Sequence, residues 1–167
     1  MTLEETAYQV VETLKEQGKT ISCAESCTGG MIAERITDVS GASAVFQGGV
    51  VSYAIAVKQI VLGVSGADIE KYSAVSAPVA RQMAQGARLL LHSDISVSTT
   101  GVAGPGPDDR DNPQGLVYIA LADGEETWCY RFRFAGDRNA VRRAATQQAL
   151  ALALRRLSGG DMSEGAV

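Results

Sequence analysis

Residues 20–30 read Thr-Ile-Ser-Cys-Ala-Glu-Ser-Cys-Thr-Gly-Gly. Thr20 to Ala24 has the length and apolar character of a short buried strand. From Cys27 to Val39 the apolar positions Met31, Ile32, Ile36 and Val39 fall at helical spacing. A strand that runs straight into a glycine-rich helix start is the junction at which open α/β sheets place their ligands. Two glycines in a first helical turn cost about 1 kcal/mol each relative to alanine. The return expected for that cost is close approach of another group to backbone N–H donors, which with the helix dipole favour an anion or a developing oxyanion.

Outward from this stretch the chain alternates helix and strand. Leu3, Ala7, Val10, Val11 and Leu14 mark a helix that Gly18 stops. Val45 to Tyr53 is β-branched and aromatic and predicts a strand, and Ala54 to Leu62 predicts a helix. Ser76-Ala77-Pro78 supplies a cap and a first-turn proline for a helix to about Leu91. Asp94 to Thr100 alternates as a strand. Leu116 to Ala122 and Glu126 to Phe134 flank the hairpin signal Asp123-Gly124. A last helix is expected from near Asp137 to Leu157. The pattern predicts one α/β domain over residues 1–157, a three-layer α/β/α arrangement with a mixed β-sheet. The Gly/Ser-rich tail 158–167 is expected to fray.

Composition narrows the function classes. The chain has 167 residues, 46% of them hydrophobic and 20% charged, enough for an unaided core. The net charge of −4 and the absence of a long Lys/Arg run argue against nucleic acid as partner. Three cysteines and a single histidine (His92) are too few soft ligands at suitable spacing for a zinc site, so neither metal nor cofactor is expected. The start Met1-Thr2-Leu3-Glu4-Glu5 lacks an export signal's basic and apolar regions, and no apolar run reaches membrane-spanning length. A cytoplasmic protein with no membrane partner is expected. His92, Trp128 and Cys129 are assigned no role.

Four segments are candidates for chemistry. In the first, Ser26 is either a nucleophile or a helix cap, and Thr28, Gly29 and Gly30 are candidate ligand contacts. The second runs from Tyr53 to Lys58. With one distant histidine a Ser-His-Asp triad does not fit, whereas a lysine desolvated enough to be neutral can serve as base to a serine. Tyr53 can relay the proton or hold the lysine; the plainer reading is a core edge and a solvated face. The third, Thr100-Gly101-Val102-Ala103-Gly104-Pro105-Gly106-Pro107, opens a long connection that is either an anion-binding nest or a solvated loop. In the fourth, Gly136 to Arg143, Arg138 and Arg142 crowd a helix start that arginines usually avoid. They point to a phosphate or carboxylate, or else to surface ion pairs.

Taken in order, AESCTGG at 24–30, FQGGVVSY at 46–53, Lys58 with LGV at 62–64, AVS at 74–76, TGVAGPG at 100–106 and GDRNAVRR at 136–143 resemble the CinA C-terminal domain family. The resemblance covers nearly the whole chain. Some members of that family are nicotinamide-nucleotide amidohydrolases, and larger members carry an additional N-terminal domain. The resemblance implies deamidation of nicotinamide mononucleotide by a homo-oligomer, with Ser26 as nucleophile, Lys58 as general base and Tyr53 as proton relay. It further implies that Thr100 and Arg142 support the substrate or the reacting centre. This chain departs from the family at Tyr53-Ala54-Ile55, where Tyr-Ser-Asn is common, and at Asn112-Pro113, where Lys-Pro is common. Two other readings stand beside the enzyme: a domain that binds a phosphorylated metabolite with little turnover, and an interaction module linked to competence or DNA damage.

Overall fold

A computed structural model describes all 167 residues. The elements in chain order are α1 (Leu3–Gln17), β1 (Ile21–Glu25), α2 (Met31–Thr37), β2 (Phe46–Val51), α3 (Ile55–Ile60), α4 (Gly66–Tyr72), α5 (Ala77–Leu91), β3 (Ile95–Gly101), β4 (Leu116–Asp123), β5 (Glu126–Arg133) and α6 (Arg138–Leu157). The five strands form one sheet in the order β2-β1-β3-β4-β5. β2 and β3 flank β1 in parallel, while β4 and β5 continue antiparallel as a hairpin. The expected three-layer mixed-sheet domain is what forms.

Strand alternation gives the two faces of the sheet different characters. Ile21 and Cys23 of β1, Ile95 and Val97 of β3, and Val117, Ile119 and Leu121 of β4 join the main core with α1, α2 and α6. The other face is built from small residues: Ala120, Ala122 and Cys129 meet Ala80 and Ala84 of α5. Helix α5 can therefore lie close to the strands, and Ser98 Oγ donates to the Ala80 carbonyl at 2.6 Å. At the start of α1, Thr2 and Glu5 form a reciprocal capping box, worth about 1 kcal/mol.

Three local expectations are corrected. Helix α2 begins at Met31 rather than Cys27, because residues 26–30 are spent on turns in which Gly29 and Gly30 have φ of 58° and 106°. Helix α4 has no counterpart in the sequence reading, although Ser65 caps it by accepting from Asp68 N. The tail after Leu157 packs back rather than fraying. Met162 is 3% exposed in the main core, its carbonyl accepts from the Tyr130 hydroxyl, and Val167 N donates to the Cys129 carbonyl at 2.8 Å. Met162 is the tail's one buried side chain, and Arg81 and Arg155 add hydrogen bonds to its main-chain carbonyls.

Candidate active site

Strand order decides where the site lies. The chain leaves β1 for β2 on one side, and β3 later takes the other side, so the carboxyl end of β1 is a switch point with loops diverging around it. Ser26 is the first residue beyond that end. Its N–H donates to the Thr99 carbonyl on β3 at 3.0 Å, and its side chain is half-buried, within reach of a ligand.

Lys58 arrives from the β2 side. In the sequence Ile55-Ala56-Val57-Lys58-Gln59-Ile60, helix α3 buries its lysine and exposes both isoleucines, the inverse of ordinary amphipathicity. Lys58 is 2% exposed and no carboxylate lies within ion-pair distance of it. Nζ donates to Ser26 Oγ at 3.1 Å, to the Ser52 carbonyl at 2.5 Å and to the Tyr53 carbonyl at 3.3 Å. Burial pulls the ammonium pKa down from 10.5 to about 8, with the neighbouring Cys27 a smaller opposing influence. When Lys58 loses its proton, the Ser26 contact reverses and the hydroxyl donates to the amine. That is the arrangement a serine nucleophile needs. Cys27 is not a competing thiolate, since burial pushes its pKa up to about 12.

The structure separates the remaining candidates. Tyr53 contributes its main-chain carbonyl to Lys58, but the residue is 62% exposed and its phenol oxygen accepts from Arg138 Nη2 at 3.2 Å. Because Lys58 touches Ser26 directly, the expected relay through the phenol is replaced by a direct contact. Arg142 donates from Nε to the Cys27 carbonyl at 3.0 Å and from Nη2 to the Thr28 carbonyl at 3.2 Å. It braces the turn behind Ser26, and a Cβ at Gly29 would stand 3.1 Å from its Nη2. Thr28 faces inward, with its hydroxyl bonded to Glu25 and Thr99. Thr100 is buried and donates to the Ala74 carbonyl at 2.8 Å, and Gly101 is a packing glycine whose Cβ would strike Val117. Arg138 is the exposed cation of the set, joining the Tyr53 phenol to the Gly104 carbonyl.

The helix dipole is also committed. The Glu25 carboxylate accepts from Ile32 N at 2.9 Å and Ala33 N at 3.1 Å, so it occupies the N-terminus of α2 where an oxyanion was expected. The N–H groups of Cys27, Thr28 and Gly30, by contrast, have no acceptor on another residue. Sequence reasoning missed Glu25, Ser52 and Thr99; a glutamate inside a buried strand was the signal available for the first. The 102–115 connection is ordered by Gln114, which accepts from Gly106 N and donates to the Gly136 carbonyl. A concavity of about 420 Å³ beside it, lined by Gln114, Arg133, Phe134, Ala135 and Gly136, does not include Ser26.

Residues 3–157 match the CinA C-terminal domain family. The chain belongs to that family. Among curated relatives, a CinA-like protein of Syntrophus aciditrophicus (strain SB) is 46% identical over 154 residues, spanning 91% of this chain and 36% of the relative. A CinA-like protein of Geobacter sulfurreducens is 48% identical over 148 residues, 89% of this chain and 36% of that protein. The CinA chain thus spans about a third of the length of the curated relatives it matches. A competence-damaged protein (CinA) superfamily structure from Klebsiella pneumoniae superposes with a TM-score of 0.92 at 30% identity, covering 95% of this chain and 99% of the other. The competence/damage inducible protein CihA of Agrobacterium tumefaciens gives 0.88 at 35% identity, with 93% and 95% covered. No helix is long and apolar enough to cross a membrane.

Proposed function

We propose that this CinA domain hydrolyses the carboxamide of nicotinamide mononucleotide, releasing ammonia and nicotinic acid mononucleotide, as part of pyridine nucleotide salvage in the cytoplasm. The observation that carries the reading is the 3.1 Å contact between Ser26 Oγ and a lysine whose pKa is brought down to about 8. Neutral Lys58 takes the Ser26 proton as Oγ attacks the carboxamide carbon. The resulting ammonium returns that proton to the leaving nitrogen, and ammonia departs from an acyl-serine ester. Water, deprotonated by Lys58, then attacks the ester and frees the acid and Ser26. The unpaired N–H groups of Cys27 and Thr28 are the donors available to the tetrahedral oxyanion.

Arg138 is the group suited to the nucleotide phosphate, because it is exposed at the start of α6, whereas Arg142 is part-buried behind the Ser26 turn. No metal or cofactor takes part. Purified protein incubated with nicotinamide mononucleotide, without added metal, should release ammonia and the acid in equal amounts. Absence of both products would remove this reading.

One observation favours a surface for assembly as well. Val51, Tyr53, Ile55, Ile60 and Val61 are all exposed, Ile60 by 82%, and residues 46–57 carry no charge. Uncharged edge strands pair readily with another copy, and β2 is an edge strand. A homo-oligomer through this face fits those features, and Ile60→Glu should shift the species seen by light scattering toward monomer.

A further inference from the structure

Glu25 ends β1 at 1% exposure with no cation within ion-pair distance. A carboxylate in that position is expensive unless every oxygen lone pair it turns inward is used. Its contacts are all donors. Oε1 accepts from Thr28 Oγ1 at 2.6 Å and from Ile32 N at 2.9 Å, while Oε2 accepts from Ala33 N at 3.1 Å and from Cys23 Sγ at 3.5 Å. Thr28 lies within the turn that carries Ser26, and Ile32 and Ala33 lie just beyond it, so one side chain pins that turn to the start of α2.

The main chain of the same residue reaches the other partner. The Glu25 carbonyl accepts from Ser52 N at 2.7 Å and from Ser52 Oγ at 3.3 Å. The Ser52 carbonyl is in turn the nearest acceptor of Lys58 Nζ, at 2.5 Å. One residue therefore holds the nucleophile's turn with its side chain and the base's seat with its backbone. We infer that Glu25 is a positioning residue that sets the Ser26–Lys58 geometry, an inference that rests on reading this pair as nucleophile and base. The carboxylate is required because it alone presents acceptors on both oxygens. A glutamine would turn an NH2 group toward the Thr28 hydroxyl and a backbone N–H or toward Ala33 N and the Cys23 thiol, and the turn would rearrange.

The test separates this role from plain stability and from the choice of substrate. A fluorophosphonate phosphonylates an activated serine: Ser26 Oγ bonds to phosphorus, fluoride leaves and Lys58 takes the proton. Wild type should be labelled, and Ser26→Ala should not. Glu25→Gln should label roughly tenfold to a hundredfold more slowly, and kcat for nicotinamide mononucleotide should fall in parallel with KM held within about twofold. Ile95→Val, a core deletion at the amino end of β3, away from Thr99, should label like wild type.

If Glu25→Gln does not fold, Thr28→Val removes the shortest of these contacts and should still slow labelling several-fold, a smaller effect on the same scale. Labelling at the wild-type rate in whichever of these two variants folds would reduce Glu25 to a helix cap and overturn the inference. Equal slowing in Ile95→Val would do the same. Labelling of a wild type that does not turn over nicotinamide mononucleotide would remove the substrate reading and leave the Glu25 comparison intact. A folded wild type that is not labelled at all would overturn both, since there would be no activated serine to position.

Discussion

Lys58 Nζ and Ser26 Oγ stand 3.1 Å apart across 32 residues of chain, and the contact is made by folding two neighbouring strands in parallel rather than by any local motif. β1 delivers the serine at its carboxyl end, and the adjacent β2 delivers, one short helix later, a lysine that faces inward. The pair has direct consequences for activity, for pH and for stability.

Removing either member should abolish turnover to a similar extent. Ser26→Ala and Lys58→Ala are each expected to lower kcat by roughly a thousandfold or more, and the double variant should be little worse than either, because groups that act as a unit are strongly non-additive. Single-turnover rates on the three variants check this. Near-normal turnover in Ser26→Ala would mean that the hydroxyl is only a hydrogen-bond acceptor for Lys58.

Activity should rise with pH and level off above about 8, the value to which burial brings the Lys58 ammonium. The base works in its neutral form, and at pH 7 a group with that pKa is neutral in about one molecule in ten. A kcat/KM profile that falls between pH 6.5 and 9 would contradict a lysine base.

The same lysine should make stability depend on pH. Its folded pKa, about 8, lies below the ordinary 10.5, so the unfolded chain binds the extra proton between those values. Folding is therefore penalised below about 8, and the penalty is relieved as pH rises toward 10.5. Relative to Lys58→Met, wild type should gain roughly 2 kcal/mol between pH 7 and 10, measured by denaturant unfolding. A pH-independent difference would mean that Lys58 is solvated.

The two arginines should fail in different ways. Arg138 is exposed and joins the Tyr53 phenol to the Gly104 carbonyl, whereas Arg142 braces the Cys27 and Thr28 carbonyls. Arg138→Ala should raise KM for nicotinamide mononucleotide about tenfold with kcat little changed, and should erase the preference for the mononucleotide over the riboside. Arg142→Ala should mainly lower kcat, because the turn bearing Ser26 loses its brace. Identical kinetic defects in the two variants would remove the distinction.

The sequence by itself determined the parts of this protein that depend on local pattern. Apolar spacing marked α1 and the region of α2, a cap with a first-turn proline marked α5, β-branched character marked β2, alternation marked β3, and Asp123-Gly124 marked the hairpin between β4 and β5. Adjacent motifs in a set order carried the family. Ser26, Lys58, Arg138 and Arg142 were visible as unusual residues beside glycine turns or at a helix start. What each does was decided by the tertiary structure. Periodicity places apolar residues inside, and α3 breaks that rule by burying Lys58 and exposing Ile55 and Ile60. Arg142 meets the Cys27 carbonyl across 115 residues, and that meeting depends on how α6 crosses the sheet. The Tyr53 phenol points to Arg138 while its carbonyl serves Lys58, so the side chain and main chain of one residue meet different partners. A sequence names the groups a chain can bring to a site. Strand order and the desolvation that follows from it decide which of them meet there, and in what charge state.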